Sequence, residues 1–363
     1  MFPEMEGYTS AVPSKRDLLS FVKAVQVELV DSANESDTGL IRFVCKEISK
    51  AVHLLITKIE GMVQATPEAS KMDSGRKFSR TSAQEHNYQL MVLITQLRDA
   101  VEKLPSQVVK LVDDNAVSID EDARLNEIRS AVSSYNTVSI ERIDSLAGRV
   151  LVAPLVDSII EYFKGVLLGL YKEGSTIAHT TSSVSLSSSS DMNNSDCSKA
   201  VQLVLKQFPE AIAVHLTSLP QHPSVVWAIE EAGRRLLVLY VTIIVLLRPV
   251  TEMSRLRAAA DMTALELMIS GLQSQTSARQ PSHSVKGENA VPDPVHAEFK
   301  SLRRLLFEDK VVLSGSSRGG NGTKASNAAP VAETVLSLPY VGSMRPSTLL
   351  GYLISCGPTQ VMF

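Results

Sequence analysis

The side chains best suited to chemistry are seven histidines and three cysteines. The histidines are His53, His86, His179, His215, His222, His283 and His296. A helical zinc site needs two histidines four residues apart, so that both rings leave one face. No pair here has that spacing. The cysteines, Cys45, Cys197 and Cys356, are odd in number and widely scattered. They match neither a disulfide framework nor a zinc ligand set, and they suit a reducing compartment. Paired Glu-x-x-His ligands of a helix-bundle metal centre are absent as well. Gly319 to Lys324, GGNGTK, has the glycines of a phosphate loop but the wrong order, because Lys324 follows Thr323. The expectation is a chain that is not an enzyme and carries no cofactor and no metal. His53 and His215, on or beside apolar faces, are expected to be partly buried structural histidines.

Charge excludes another class. Lys plus Arg is 36 and Asp plus Glu is 39, a net charge of -3. Such a balance gives no global pull toward nucleic acid or an anionic membrane. One local cluster stands out: Arg234, Arg235, Arg248, Arg255 and Arg257. It could meet an acidic partner or anionic headgroups. Glu230, Glu231, Glu252 and Asp261 share the stretch, so internal pairing is the plainer expectation, with Arg257 and Asp261 at helical i, i+4 spacing. Asn34, Asn193 and Asn321 fit the glycosylation pattern. The N-terminus has no basic and apolar leader, so these acceptors are expected to stay unmodified.

The elements that carry these residues are helical. Aromatics are only 5% of a chain that is 44% hydrophobic, a composition suited to helix-on-helix packing. From Leu40 to Val63, Ile41, Val44, Ile48, Val52, Leu55, Ile59 and Met62 form one stripe, with Asp37 or Thr38 as cap. A second helix is predicted from Ser82 to Leu104, with a Ser82–Glu85 capping box and a stop at Pro105. A third group covers Asp120 to Glu173, broken or kinked near Ala153 by Pro154. Residues 179–196 are too polar and serine-rich to pack. The pattern resumes at Ser198 with Val201, Val204, Leu205, Phe208, Ile212, Leu216 and Leu219, kinked at Pro209.

Leu236 to Leu247, LLVLYVTIIVLL, is shorter than the roughly 20 residues needed to cross a bilayer. It reads as a core helix starting at Ser224. Thr251 to Gln273 has two apolar stripes. One is Met253, Leu256, Ala260, Ala264 and Leu267. The other is Ala258, Met262, Leu265, Ile269 and Leu272. Apolar residues on two sides predict an interior helix with neighbours on both. Short helices near 295–307, 331–338 and 347–354 complete the pattern.

The expected order is a flexible N-terminus (1–14), a helical bundle (15–178), a serine-rich linker (179–197), a core bundle (198–273), a linker (274–294), a small C-terminal helical region (295–355, with a Gly/Ser loop at 314–329) and a tail (356–363).

The stretch Arg248 to Leu267 resembles the signature of the family of subunit 5 of the conserved oligomeric Golgi complex. The resemblance rests on Arg248, Pro249, Glu252, Arg255, Arg257, Asp261, Met262, Leu265, Glu266 and Leu267. FKSLRRLLF (Phe299 to Phe307) and APLVDSIIEYFKGVLLGLYKEG (Ala153 to Gly174) are similar to further segments of that family. The family's N-terminal coiled-coil half has no counterpart before residue 15, and the stretch from Cys356 to Phe363 departs from the family's usual end. The chain is therefore expected to be a C-terminal part, a short form or the product of an incomplete gene model.

The resemblance implies an all-α fold of elongated, stacked helical bundles, the rod type of multisubunit tethers, with disordered linkers. It implies a scaffold for retrograde intra-Golgi vesicle tethering, peripheral on the cytosolic face of the Golgi membrane and also in the cytosol. The implied partners are other subunits of that complex, notably subunits 6, 7 and 8. The residues taken alone also admit an unrelated cytosolic helical adaptor.

Overall fold

The computed structural model describes residues 13–35, 38–72, 78–113, 121–170, 197–246, 252–277, 294–314, 342 and 344–355. Of these residues 87% are helical, and no strand forms among them. The serine-rich segment 179–196 and the helix expected near 331–338 lie outside the described residues. So do most of the expected linkers at 274–294 and 314–329.

The chain forms two compact units that are not sequential. The first is Met1–Ser158 with Ala213–Ala228, and the second is Ile159–Ile212 with Ile229–Phe363.

In the first unit, α1 (Lys15–Asn34), α2 (Thr38–Met62), α3 (Ser82–Asp113) and α4 (Glu121–Leu146) pack on one another. Ser14 caps α1 through a capping box, its Oγ accepting from the Asp17 N–H at 3.2 Å. Ile41, Cys45, Ile48, Val52, Ile56 and Ile59 are the buried stripe of α2, while Val44 and Leu55 lie at its margin. Leu90, Leu93, Leu97, Val101 and Leu104 of α3 are all buried, as their spacing predicts.

Two details of α3 correct the sequence reading. The cap is Thr81, one residue earlier than expected. Its Oγ1 accepts from the Gln84 N–H, and Gln84 Oε1 accepts from the Thr81 N–H. The helix also runs through Pro105 to Asp113. A proline removes one ladder hydrogen bond, but Leu104 and Val108, on either side, are both in the core and hold the turns together.

The break expected near Ala153 takes the form of a π-helical turn, Ala147–Val152, between α4 and α5 (Ala153–Leu167). The Ala153 N–H bonds the Gly148 carbonyl, one residue further back than in an α-helix. A wider turn next to Pro154 accommodates the missing donor and the ring.

The second unit holds α6 (Lys199–Ile212), most of α7 (Pro223–Ile244), α8 (Glu252–Ser277), α9 (Pro294–Ser314) and α10 (Pro346–Ser355). Three of these begin with proline, whose fixed φ and absent N–H suit the first helical position. Helix α6 runs through Pro209 and widens into a second π turn at Ala213–Thr217. Helix α8 packs on α6 and α9. Helix α7 ends at Ile244 rather than Leu247, and Leu246 is exposed. Leu236, Leu237, Tyr240, Val241 and Ile243 of α7 are buried, as a core helix requires. No helix among the described residues is long and apolar enough to cross a membrane.

Candidate functional site

Helix α8 carries most of the signature residues, and its packing sorts them. Arg248 and Pro249 lie outside the described residues, and Glu252 opens the helix. Asp261, Met262 and Leu265 are at most 1% exposed. Ala258 and Ile269 continue that buried face. Gly233 of α7 makes the contact possible, since a Cβ there would sit 2.9 Å from Ile269 Cγ2.

The opposite stripe departs from the sequence reading. Leu256 is 48% exposed and Leu267 is 70% exposed, with Ala260 and Ala264 half-buried between them. The helix therefore packs on one apolar face and presents the other. The two stripes look alike in sequence because periodicity registers apolarity and not which side a neighbour occupies.

Asp261 also departs from its expected role. No ion pair joins it to Arg257 among the described residues. Its Oδ1 accepts the Ser198 N–H at 2.8 Å, and its Oδ2 accepts the Ser198 hydroxyl at 2.9 Å. Tyr240 donates its hydroxyl to Oδ2 at 3.2 Å. Ser198 meanwhile accepts from the Val201 N–H as the cap of α6. Burial pushes the Asp261 carboxyl up to about 6, against hydrogen bonds from Ser198, Tyr240 and Cys197 that pull it down. This cluster pins the start of α6 to α8 and α7. The serine in front of α6 was a visible cap signal, but nothing in sequence links residue 198 to residue 261.

Glu266 is half-buried against α9, where Arg303 Nη1 lies 2.6 Å and Lys300 Nζ 3.7 Å from its carboxylate. The basic cluster is likewise partly internal, since Arg234 and Arg235 both pair with Glu231 at 2.6 and 2.7 Å. Those hydrogen bonds, Arg234's first, hold the Glu231 carboxyl below its ordinary value. Arg248 is outside the described residues, and Arg255 and Arg257 are half-buried on α8.

Three further places hold chemically capable groups. His222 caps α7: its Nδ1 accepts the Ser224 N–H at 3.2 Å, and its Nε2 lies 3.2 Å from Asp144 Oδ1. Arg98 Nε donates to the same oxygen at 2.8 Å. Serine, histidine and aspartate meet here, but the Ser224 hydroxyl faces the Asp144 backbone carbonyl and not the ring. A hydrolytic triad needs the imidazole between hydroxyl and carboxylate. Here Nδ1 is taken up by the cap, and Nε2 lies beside the carboxylate rather than a hydroxyl.

His215 is buried edge-on to Phe78, and neither ring nitrogen meets a protein hydrogen-bond partner. It borders a cavity of about 20 Å³, room for a single water, together with Arg80 and Tyr88. Burial, aided by Arg80, pushes its pKa down to about 4, so the ring is neutral near pH 7. It is the buried structural histidine expected, whereas His53 is exposed on α2. A groove of about 460 Å³ beside α2 and α4 includes Cys45 and Tyr135. Burial raises the Cys45 thiol to about 11 and the Tyr135 phenol to about 12, leaving neither a nucleophile at neutral pH.

No group of three or more His, Cys, Asp or Glu suited to a metal ion occurs among the described residues. The letters Gly-x-Ser-x-Gly occur at 315–319, outside the described residues. A nucleophile elbow places its serine directly after a strand. No family model, no curated protein and no solved structure matches this chain.

Proposed function

We propose that this chain is a non-enzymatic helical scaffold that works by presenting helix faces to partner chains. The carrying observation is the exposed leucine stripe on α8, set on a helix whose other face is locked into its unit. The buried polar groups support the reading. Asp261, Asp144 and Glu231 are each spent on a cap or an ion pair.

The finer reading is a scaffold subunit of the conserved oligomeric Golgi complex, in a rod of stacked helices that tethers vesicles in retrograde intra-Golgi transport. Its place would be the cytosolic face of the Golgi membrane, and its partners subunits 6, 7 and 8. The residue pattern at 248–267 supports this reading, and it stands on that pattern alone. The test is co-purification of the tagged full chain from cells. Recovery of the other complex subunits, with release of the chain from membranes by alkaline carbonate, is the expected result. Recovery of other partners without any of them would favour the unrelated helical adaptor.

A further inference from the structure

The exposed stripe of α8 has a definite shape and charge. At 100° per residue, Leu256, Ala260, Thr263 and Leu267 fall within about 60° of one another, opposite buried Leu265. From Leu256 to Leu267 the stripe runs about 16 Å, or three turns. Its ends are large and its middle is small, so a second helix could approach closely between the two leucines.

The described side chains along its edges carry a net positive charge. Arg257 lies along one edge of the stripe. Along the other lies Glu266, already matched by Arg303 at 2.6 Å and Lys300 at 3.7 Å. The Lys300 side chain is 62% exposed. Asp261, the other acid of α8 whose side chain is described, is turned inward and 1% exposed.

An apolar stripe between cations selects a partner with acids beside its own apolar stripe. It disfavours a second copy of the same face, since an isologous pairing would set like charges against each other. We propose that this face of α8 docks an amphipathic helix of another protein whose Leu-, Ile- or Met-rich stripe is flanked by Asp and Glu. The proposal rests on the scaffold reading and names the chemistry of its partner.

The experiment uses the full chain and synthetic helical peptides followed by fluorescence anisotropy. One peptide carries a leucine stripe flanked by Glu, the second the same stripe flanked by Lys, and the third Glu flanks around a Ser stripe. The first should bind, and the second and third should bind at least roughly tenfold more weakly. The double variant Leu256→Ser/Leu267→Ser should lose roughly tenfold or more in affinity for the first peptide, with an unchanged thermal melt because both side chains are exposed. Arg257→Glu/Lys300→Glu should shift preference toward the Lys-flanked peptide.

Equal binding by the parent and the leucine double variant would overturn the proposal. So would equal binding of the Glu- and Lys-flanked peptides, or a parent dimer in sedimentation that Leu267→Ser dissolves. Failure here is separable from failure of the tether reading. A leucine double variant that still co-purifies with the Golgi-complex subunits removes this surface and leaves the scaffold. A parent chain that binds the first peptide but recovers none of those subunits removes the tether and leaves the surface.

Discussion

Two carboxylates, the part-buried Asp144 of the first unit and the buried Asp261 of the second, are held by different means. Asp144 sits between Arg98 and His222, with a guanidinium N–H at 2.8 Å. Burial would raise its pKa, but the His222 and Arg98 hydrogen bonds outweigh it, and the carboxyl stays below its ordinary value. Asp261 accepts from Ser198, Tyr240 and Cys197 and pairs with no cation among the described residues. There burial wins, and the carboxyl rises to about 6. Asp144 keeps part of its hydration, with its side chain 33% exposed, and one of its donors is a guanidinium, whereas Asp261 is 1% exposed and has neutral donors. The first carboxylate is thus braced as an ion, and the second is favoured in its neutral form.

A third carboxylate, placed at a fully buried apolar position, gives the largest expected effect. Leu265→Asp would set one on the fully buried face of the Asp261 helix. The expected cost is several kcal/mol, comparable with the whole stability of a domain, about 5–15 kcal/mol. Leu267→Asp, on the exposed stripe, should change stability by no more than about 0.5 kcal/mol. Thermal melts of the two decide it. If Leu265→Asp melts like the parent, the assignment of the buried face is wrong.

The comparison is sharpened by pH. The folded pKa of Asp261 lies above its ordinary value of 3.8. The folded state therefore binds this proton more tightly, and the associated stability is present below about 3.8 and lost as pH rises through about 6. The difference corresponds to about 3 kcal/mol. Asp261→Asn cannot ionise, so its stability relative to the parent should increase across that window by up to that amount. Urea titrations of both proteins at a series of pH values measure it. A constant difference from pH 4 to pH 7 would refute the assignment.

Asp144 should behave with the opposite sign. Its folded pKa is depressed, so its contribution is present above 3.8 and is lost as pH falls through the folded value. Asp144→Asn should cost about 1–2 kcal/mol at pH 7, reduced by the partial exposure of the site, and the gap should close in acid. A cost that persists undiminished at pH 3 would show that the hydrogen bonds, and not the charge, brace this site.

The smallest effect is Tyr240→Phe. It removes one of the donors to Asp261 and leaves the ring in place, at a cost of about 1 kcal/mol. With less pulling the carboxyl down, its pKa should rise further, read as a displaced midpoint in the same titrations. An unchanged midpoint would mean that the hydroxyl contributes little to the ion.

Much of the helical layout was legible because it depends on local pattern. The α3 stripe from Leu90 to Leu104 is buried residue for residue, since a 3.6-residue period leaves only one way to cover it. Local signals failed where a single rule stood alone. Pro105 should have ended α3, but Leu104 and Val108 in the core outweighed one lost hydrogen bond. The capping box lay at Thr81 and Gln84 instead of Ser82 and Glu85, because both pairs fit the spacing and only backbone geometry separates them. Arg257 and Asp261 had the spacing of an ion pair, yet Ser198, distant in sequence, took the carboxylate.

The amino-acid sequence by itself determined the helical class, the positions of most helices and the apolar character of both faces of residues 252–277. These follow from periodicity and composition, which each segment carries within itself. Only the tertiary structure decided which of those two faces is covered, which carboxylate meets a cation, and which residues far apart in the chain share a cap. Those outcomes depend on what stands opposite, and a burial energy exists only once two segments have met.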